Sequence, residues 1–81
     1  MTDATNASPP RYEISFLTDQ WAWEADLVEA TLESAKAAAR QALLDLVRNE
    51  QPELACATLL ENGLKVGVWD WVEQQAYWTP L

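Results

Sequence analysis

Two carboxylates at alternate positions, Glu24 and Asp26, come closest to a catalytic pair in this sequence. Alternate residues of a β-strand lie on the same face, so a strand here would place the two side by side. Paired carboxylates can act as the general acid and the base of a hydrolase. Acids at alternate strand positions are also common on solvated surfaces, and no other type of catalytic group accompanies these two. We therefore assign them no catalytic role.

Other conventional chemistries lack the residues that they require. The chain of 81 residues contains no histidine, which excludes His-based triads and the most frequent general base. Its one cysteine, Cys56, cannot complete a zinc cluster or an internal disulfide. Its two glycines, Gly63 and Gly67, do not lie in a calcium-binding or phosphate-binding loop. We predict that the protein is not an enzyme and that it uses no metal and no cofactor.

The chain is strongly acidic, with 13 acidic and 5 basic residues and a formal net charge of −8. Such a surface repels the phosphates of nucleic acids and the headgroups of anionic membranes. The first residues lack the basic and apolar regions of a secretory signal, and no apolar run reaches the length of a membrane span. We expect a cytoplasmic protein that binds neither nucleic acid nor membrane directly and whose charge attracts basic protein partners.

The acids are concentrated in one part of the chain, because the segment from Tyr12 to Ala35 contains acidic residues and no basic residue. Solubility alone accounts for such a surface. The alternative is a surface that occupies a basic groove of a partner, where carboxylates take the place of nucleic-acid phosphates. The acids of this segment are Glu13, Asp19, Glu24, Asp26, Glu29 and Glu33.

Aromatic residues near the end of the chain, Trp69, Trp71, Tyr77 and Trp78, surround Asp70. Aromatic residues with a charged rim have the composition of a protein–protein interface. A buried core or a homodimer seam explains the same residues, because large aromatic side chains bury much surface in a small domain. A platform for single-stranded nucleic acid is excluded, since it would require a basic groove.

The dipeptide Asn62-Gly63 between two apolar runs predicts a β-hairpin with a type I′ turn. Counted outward from this turn, the register pairs Ala57 with Val68 and places Trp69 and Trp71 on the opposite face. One helix covers only one face of a sheet, so these indoles would require cover from the chain itself, from a second copy or from another protein.

The remaining pattern predicts one α+β domain over residues 11–81, preceded by a disordered tail over residues 1–10. Apolar periodicity and the N-cap residue Thr31 predict a helix from about residue 32 to residue 49. A capping-box pattern at Asp26 and Glu29 offers an earlier start, but Leu27 would then point away from the apolar stripe of the helix. We expect a small antiparallel sheet of four to five strands with one α-helix packed on one face, in the order β-β-α-β-β or β-β-α-β-β-β. The expected strands are 12–17, 21–28, 54–60, 64–71 and 76–78.

No residue pattern here identifies a family. Small acidic proteins are frequent among phage and mobile-element products that inhibit host machinery by binding it. We therefore hypothesise a non-catalytic protein-binding domain, a stoichiometric inhibitor or modulator that occupies a basic, nucleic-acid-handling surface of its partner. The alternative is a structural or assembly subunit that forms an obligate homodimer through its Trp-rich sheet face. The predicted partner-binding residues are Glu24, Asp26, Glu29, Trp69, Asp70 and Trp71.

Overall fold

The computed structural model describes residues 9–81, which form one helix and a five-stranded antiparallel sheet. The elements are β1 Tyr12–Thr18, β2 Ala22–Leu27, α1 Leu32–Glu50, β3 Ala55–Glu61, β4 Leu64–Val72 and β5 Gln75–Pro80. The strands lie in the order β2-β1-β3-β4-β5 across the sheet. The predicted α+β class with the order β-β-α-β-β-β is confirmed. The predicted tail lies outside the described residues over positions 1–8.

Capping residues fix both ends of α1. Thr31 is the N-cap, because its hydroxyl accepts a hydrogen bond from the Ser34 N–H at 3.1 Å and the Ser34 side chain accepts one from the Thr31 N–H. These bonds satisfy donors that the start of a helix leaves free. At the other end, Gln51 has a φ of 50° and donates its N–H to the Val47 carbonyl. The predicted start of the helix at Thr31 is confirmed, and Asp26 lies in β2 instead.

The core lies between α1 and the face of the sheet that α1 covers. Its largest fully buried side chains are Ile14 of β1, Leu43 of α1 and Leu59 of β3. Burial of one such side chain stabilises the fold by about 1.5–3 kcal/mol. Small buried residues, such as Ala39 of the helix and Ala57 of β3, let the helix approach the sheet closely. The helix packs mainly on β3, the central strand.

A β-bulge changes the register of the hairpin formed by β3 and β4. The first two pairs after the turn follow the predicted register, but Leu59 then pairs with Gly67, so that Val66 is an extra residue in β4. A shift of one residue moves every following side chain of the strand to the other face. Trp69 and Trp71 therefore lie on the face that α1 covers. The prediction that they lie on the uncovered face is wrong.

Two-residue turns join β3 to β4 and β4 to β5. Asn62 and Gly63 have φ values of 53° and 84°, as a type I′ turn requires. Glu73 and Gln74 also have positive φ values, 50° and 67°, although neither residue favours this region. A left-handed conformation costs such residues about 1–2 kcal/mol each. The pairing of β4 with β5 must therefore stabilise a strained turn.

Candidate functional site

One face of the sheet lies under α1, and no element of residues 9–81 packs on the other. We call this second surface the open face. One row of paired residues crosses the open face and takes one residue from each of the five strands. In each strand, every second residue before and after this row also lies on the open face. The row is Ala22, Leu17, Cys56, Asp70 and Tyr77.

Carboxylates occupy the side of the open face that β1 and β2 form. Glu24 and Asp26 are exposed on β2, and Glu13 lies opposite Asp26 on β1. The Arg11 guanidinium lies 3.7 Å from the Asp26 carboxylate and 3.9 Å from the Glu13 carboxylate. Among residues 9–81, no basic side chain lies within ion-pair distance of Glu24. Exposed ion pairs such as those of Arg11 are weak, so this side of the open face keeps an acidic excess.

An exposed apolar strip lies next to these acids. It consists of Leu17, Leu54, Val72 and Tyr77, whose relative exposures lie between 48% and 68%. A concavity of about 300 Å³ lies between Leu17, Leu54 and Val72. A second concavity, of about 360 Å³, connects Leu17 with Glu24. Adjacent exposed apolar side chains with a polar rim are typical of protein interaction sites.

Cys56 and Asp70 lie opposite each other near the centre of the open face. Burial, and to a smaller extent the charge of Asp70, raises the pKa of the Cys56 thiol. The thiolate is the nucleophilic form, so this thiol is a poor nucleophile at neutral pH. Within residues 9–81, no three histidine, cysteine or acidic side chains are grouped to hold a metal ion.

The tryptophans of β4 and β5 lie on the covered face. The Trp69 indole N–H donates a hydrogen bond to the Lys36 carbonyl at 2.9 Å, and the Trp78 ring lies directly over Gly67. The Lys36 ammonium lies 4.8 Å from the centre of the Trp78 ring, and the Arg40 guanidinium lies 5.9 Å from that of Trp69. Both are cation–π distances. These indoles therefore pack against basic residues of the helix, away from the acids of the open face.

The predicted partner-binding residues do not form one surface. Those on the open face are Glu24, Asp26 and Asp70. Those elsewhere are Trp69 and Trp71, half-buried on the covered face, and Glu29, half-buried in the loop before α1. The combined acidic and aromatic surface that the sequence predicted is thus divided between the two faces.

Sequence reasoning missed the apolar strip of the open face. Leu17 and Tyr77 are apolar residues out of phase with their buried or half-buried neighbours Phe16 and Trp78. In a sheet with one solvated face, the outward positions of a strand are normally polar. An apolar residue at an outward position in two separate strands is the signal that would have identified the strip.

Comparisons of the chain with protein-family models, with curated proteins and with solved structures gave no match. Within residues 9–81, no helical segment combines the length and the hydropathy needed to cross a membrane.

Proposed function

We propose that the protein is a non-catalytic binding domain that docks its open face on a basic surface of a partner protein and thereby inhibits or modulates that partner. The partner handles nucleic acid, and the carboxylates of the open face occupy sites that phosphates would otherwise take. An inhibitor of this kind would suit a phage or mobile element that acts against host defence. The observation that carries the proposal is the presence of carboxylates and exposed apolar side chains together on one uncovered face.

The distribution of charge supports a directed approach to a basic surface. The basic side chains at the open face are Lys65 and Arg11, which lies beside Asp26, whereas Lys36 and Arg40 lie on α1, on the other side of the sheet. Carboxylates steer the encounter, and apolar contacts with a polar rim hold the complex once it has formed. The acids of the open face are Glu13, Glu24, Asp26 and Asp70.

A structural subunit that forms a homodimer is the second candidate. The indoles of Trp69 and Trp78 pack against α1, so the homodimer seam that the sequence predicts through them is largely covered. The exposed strip that contains Leu17 and Tyr77 is the observation that favours a dimer through the open face instead. Light scattering at micromolar concentration separates the two candidates, because a monomer excludes an obligate dimer.

The experiment immobilises the wild-type chain and two double variants and compares the proteins that each bait captures from a cell lysate. Glu24→Gln with Asp26→Asn removes two carboxylates from the open face. Glu33→Gln with Asp45→Asn removes two from α1 and is the matched control, since it changes the net charge equally. Each captured protein is then purified and titrated with the baits at several salt concentrations, with and without duplex DNA or RNA.

We expect the wild type and the α1 control to retain a basic, nucleic-acid-binding protein that the open-face variant loses. Added salt should weaken this complex, because exposed charges are screened. Added nucleic acid should displace the domain from its partner. Capture that is insensitive to salt, or that both double variants lose equally, would contradict the proposal.

A further inference from the structure

β2 is an edge strand, and no strand within residues 9–81 pairs with its outer side. In an antiparallel pair, every second residue turns its backbone N–H and C=O away from the neighbouring strand. The Thr18 N–H donates to the Trp21 carbonyl at 2.9 Å, which fixes the phase of this alternation. Ala22, Glu24 and Asp26 are out of phase with Trp21 and therefore turn their backbone groups outward.

The side chains of β2 differ in chemistry on the two faces. Glu24 and Asp26 project from the open face. On the other face, the Trp23 ring stacks on Phe16 with ring centres 4.7 Å apart and still has a relative exposure of 37%. Side chains alternate between faces along a strand. The outer edge of β2 therefore offers backbone hydrogen bonds, with carboxylates on one side and an indole on the other.

We propose that an extended segment of the partner adds to β2 as a further strand of the sheet. Its basic residues lie opposite Glu24 and Asp26, and the apolar residues that alternate with them lie opposite Trp23 and Ala25 on the other face. Strand addition supplies main-chain hydrogen bonds, and the alternating side chains supply specificity. Cross-strand pairs of opposite charge and aromatic pairs both stabilise such an arrangement. This inference rests on the proposed function, because it specifies how the basic partner is held.

A second copy of the chain complements this edge poorly. Antiparallel pairing of a strand with its own copy places residues of the same face opposite each other. The two registers with the longest overlap place Glu24 opposite Glu24, or Glu24 opposite Asp26. Like charges directly opposite are destabilising. The outer edge at β5 has no charged residue and ends at Pro80, so it offers no complementarity to a basic strand.

The test uses two peptides of identical composition as probes. In one, lysine and valine alternate, and in the other the lysines form a single block. Each is titrated into the full chain, with tryptophan fluorescence and amide hydrogen exchange as readouts. We expect the alternating peptide to bind about tenfold more tightly, because only it places charge on one face and apolar groups on the other. It should also slow exchange at the amides of Ala22, Glu24 and Asp26.

Two variants separate the backbone contribution from the charge contribution. Ala22→Pro removes an outward N–H but leaves both carboxylates and the hydrogen bonds to β1 in place, and an edge strand tolerates proline at such a position. It should weaken binding of the alternating peptide about tenfold. Glu24→Gln with Asp26→Asn should instead remove most of the salt dependence, and Glu33→Gln with Asp45→Asn should bind like the wild type.

Equal affinity for the two peptides, or binding without protection of the β2 amides, overturns strand addition even if Ala22→Pro does not fold. The proposed function still stands in that case if the full chain captures a basic partner in the salt-dependent way described above. Amide protection at β2 that rises with protein concentration in the absence of peptide identifies a second copy as the occupant. Amide protection at β2 that disappears on removal of residues 1–8 identifies that segment as the occupant of the edge. Either result overturns the proposal.

Discussion

The two faces of the sheet differ in what their large side chains contact. On the covered face, Trp69 bonds to the helix backbone and Trp78 fills the space over Gly67. On the open face, Leu17 and Tyr77 remain about half exposed, and charged residues lie beside them. The comparison indicates that the tryptophans of β4 and β5 mainly stabilise the fold. The carboxylates and the narrow apolar strip of the open face form the surface on which the proposed function depends.

The largest expected effect comes from a cavity in the covered face. Leu43→Ala removes a fully buried side chain and should lower the free energy of unfolding by about 2–5 kcal/mol. Leu17→Ala is the control on the open face, where a half-exposed leucine should change stability by less than about 1 kcal/mol. Urea unfolding followed by tryptophan fluorescence measures both. Equal losses would show that the two faces do not differ in burial.

A second substitution tests the contact between β4 and β5 on the covered face. Gly67→Ala places a Cβ where the Trp78 ring lies, and should lower stability by about 1–3 kcal/mol through overpacking. Trp78→Val makes room for this Cβ, so the double variant should lose less than the sum of the two single losses. Additive losses in a denaturant double-mutant cycle would refute the close contact.

Substitution of the turn between β4 and β5 is expected to raise the stability of the fold. Replacement of Glu73 by Asn and Gln74 by Gly should raise stability by about 1 kcal/mol, since both positions have positive φ. Gly63→Ala in the other hairpin should have the opposite effect, because its φ of 84° favours glycine. Thermal unfolding of the two variants checks the signs. A lower melting temperature for the Asn-Gly turn would contradict the assigned conformation.

The stability of the protein at alkaline pH tests a hydrogen bond between β1 and β3 on the covered face. The Tyr12 hydroxyl donates a hydrogen bond to the Glu61 carboxylate at 2.7 Å. This bond, together with burial and the charge of Glu61, raises the pKa of Tyr12 from 10.0 to about 12. Because the folded-state pKa is the higher one, the contribution to stability is complete below pH 10.0 and is lost as the pH rises to about 12.

The stability of the wild type should therefore decrease through this alkaline window more steeply than that of Tyr12→Phe. Denaturant titrations at a series of pH values measure the difference, and the absorbance of the phenolate reports the pKa directly. Parallel stability profiles for the two proteins would show that Tyr12 does not control this transition.

The smallest expected effect concerns the reactivity of the Cys56 thiol on the open face. Cys56 should react with an alkylating reagent more slowly than an exposed thiol, because burial and Asp70 raise its pKa. Asp70→Asn removes the smaller of these causes and should accelerate the reaction modestly at neutral pH. A partner that covers the centre of the open face should slow it. An unchanged rate in Asp70→Asn would show that burial alone controls the thiol.

Local patterns predicted each element to within two residues at its ends. Thr31 marks the start of α1 because its hydroxyl can bond an unpaired N–H only there, and Asn62-Gly63 marks a turn because both residues tolerate positive φ. Three of the six predicted partner-binding residues share the open face. Trp69 and Trp71 do not lie on the open face, because the bulge in β4 shifts the register. The sequence predicted otherwise because a count outward from the turn assumes an uninterrupted ladder of paired residues.

The sequence by itself determined the elements, the helix ends, the first turn and the acidic charge, because each depends on neighbouring residues or on composition. Only the tertiary structure decided that Val66 forms a bulge and that Trp69 reaches the Lys36 carbonyl. The bulge adds one residue to β4 and turns the indoles towards the helix, and this arrangement depends on packing between segments far apart in the chain. The tertiary structure also places the carboxylates of β2 on the open face, beside a strand edge that no other strand of residues 9–81 pairs with.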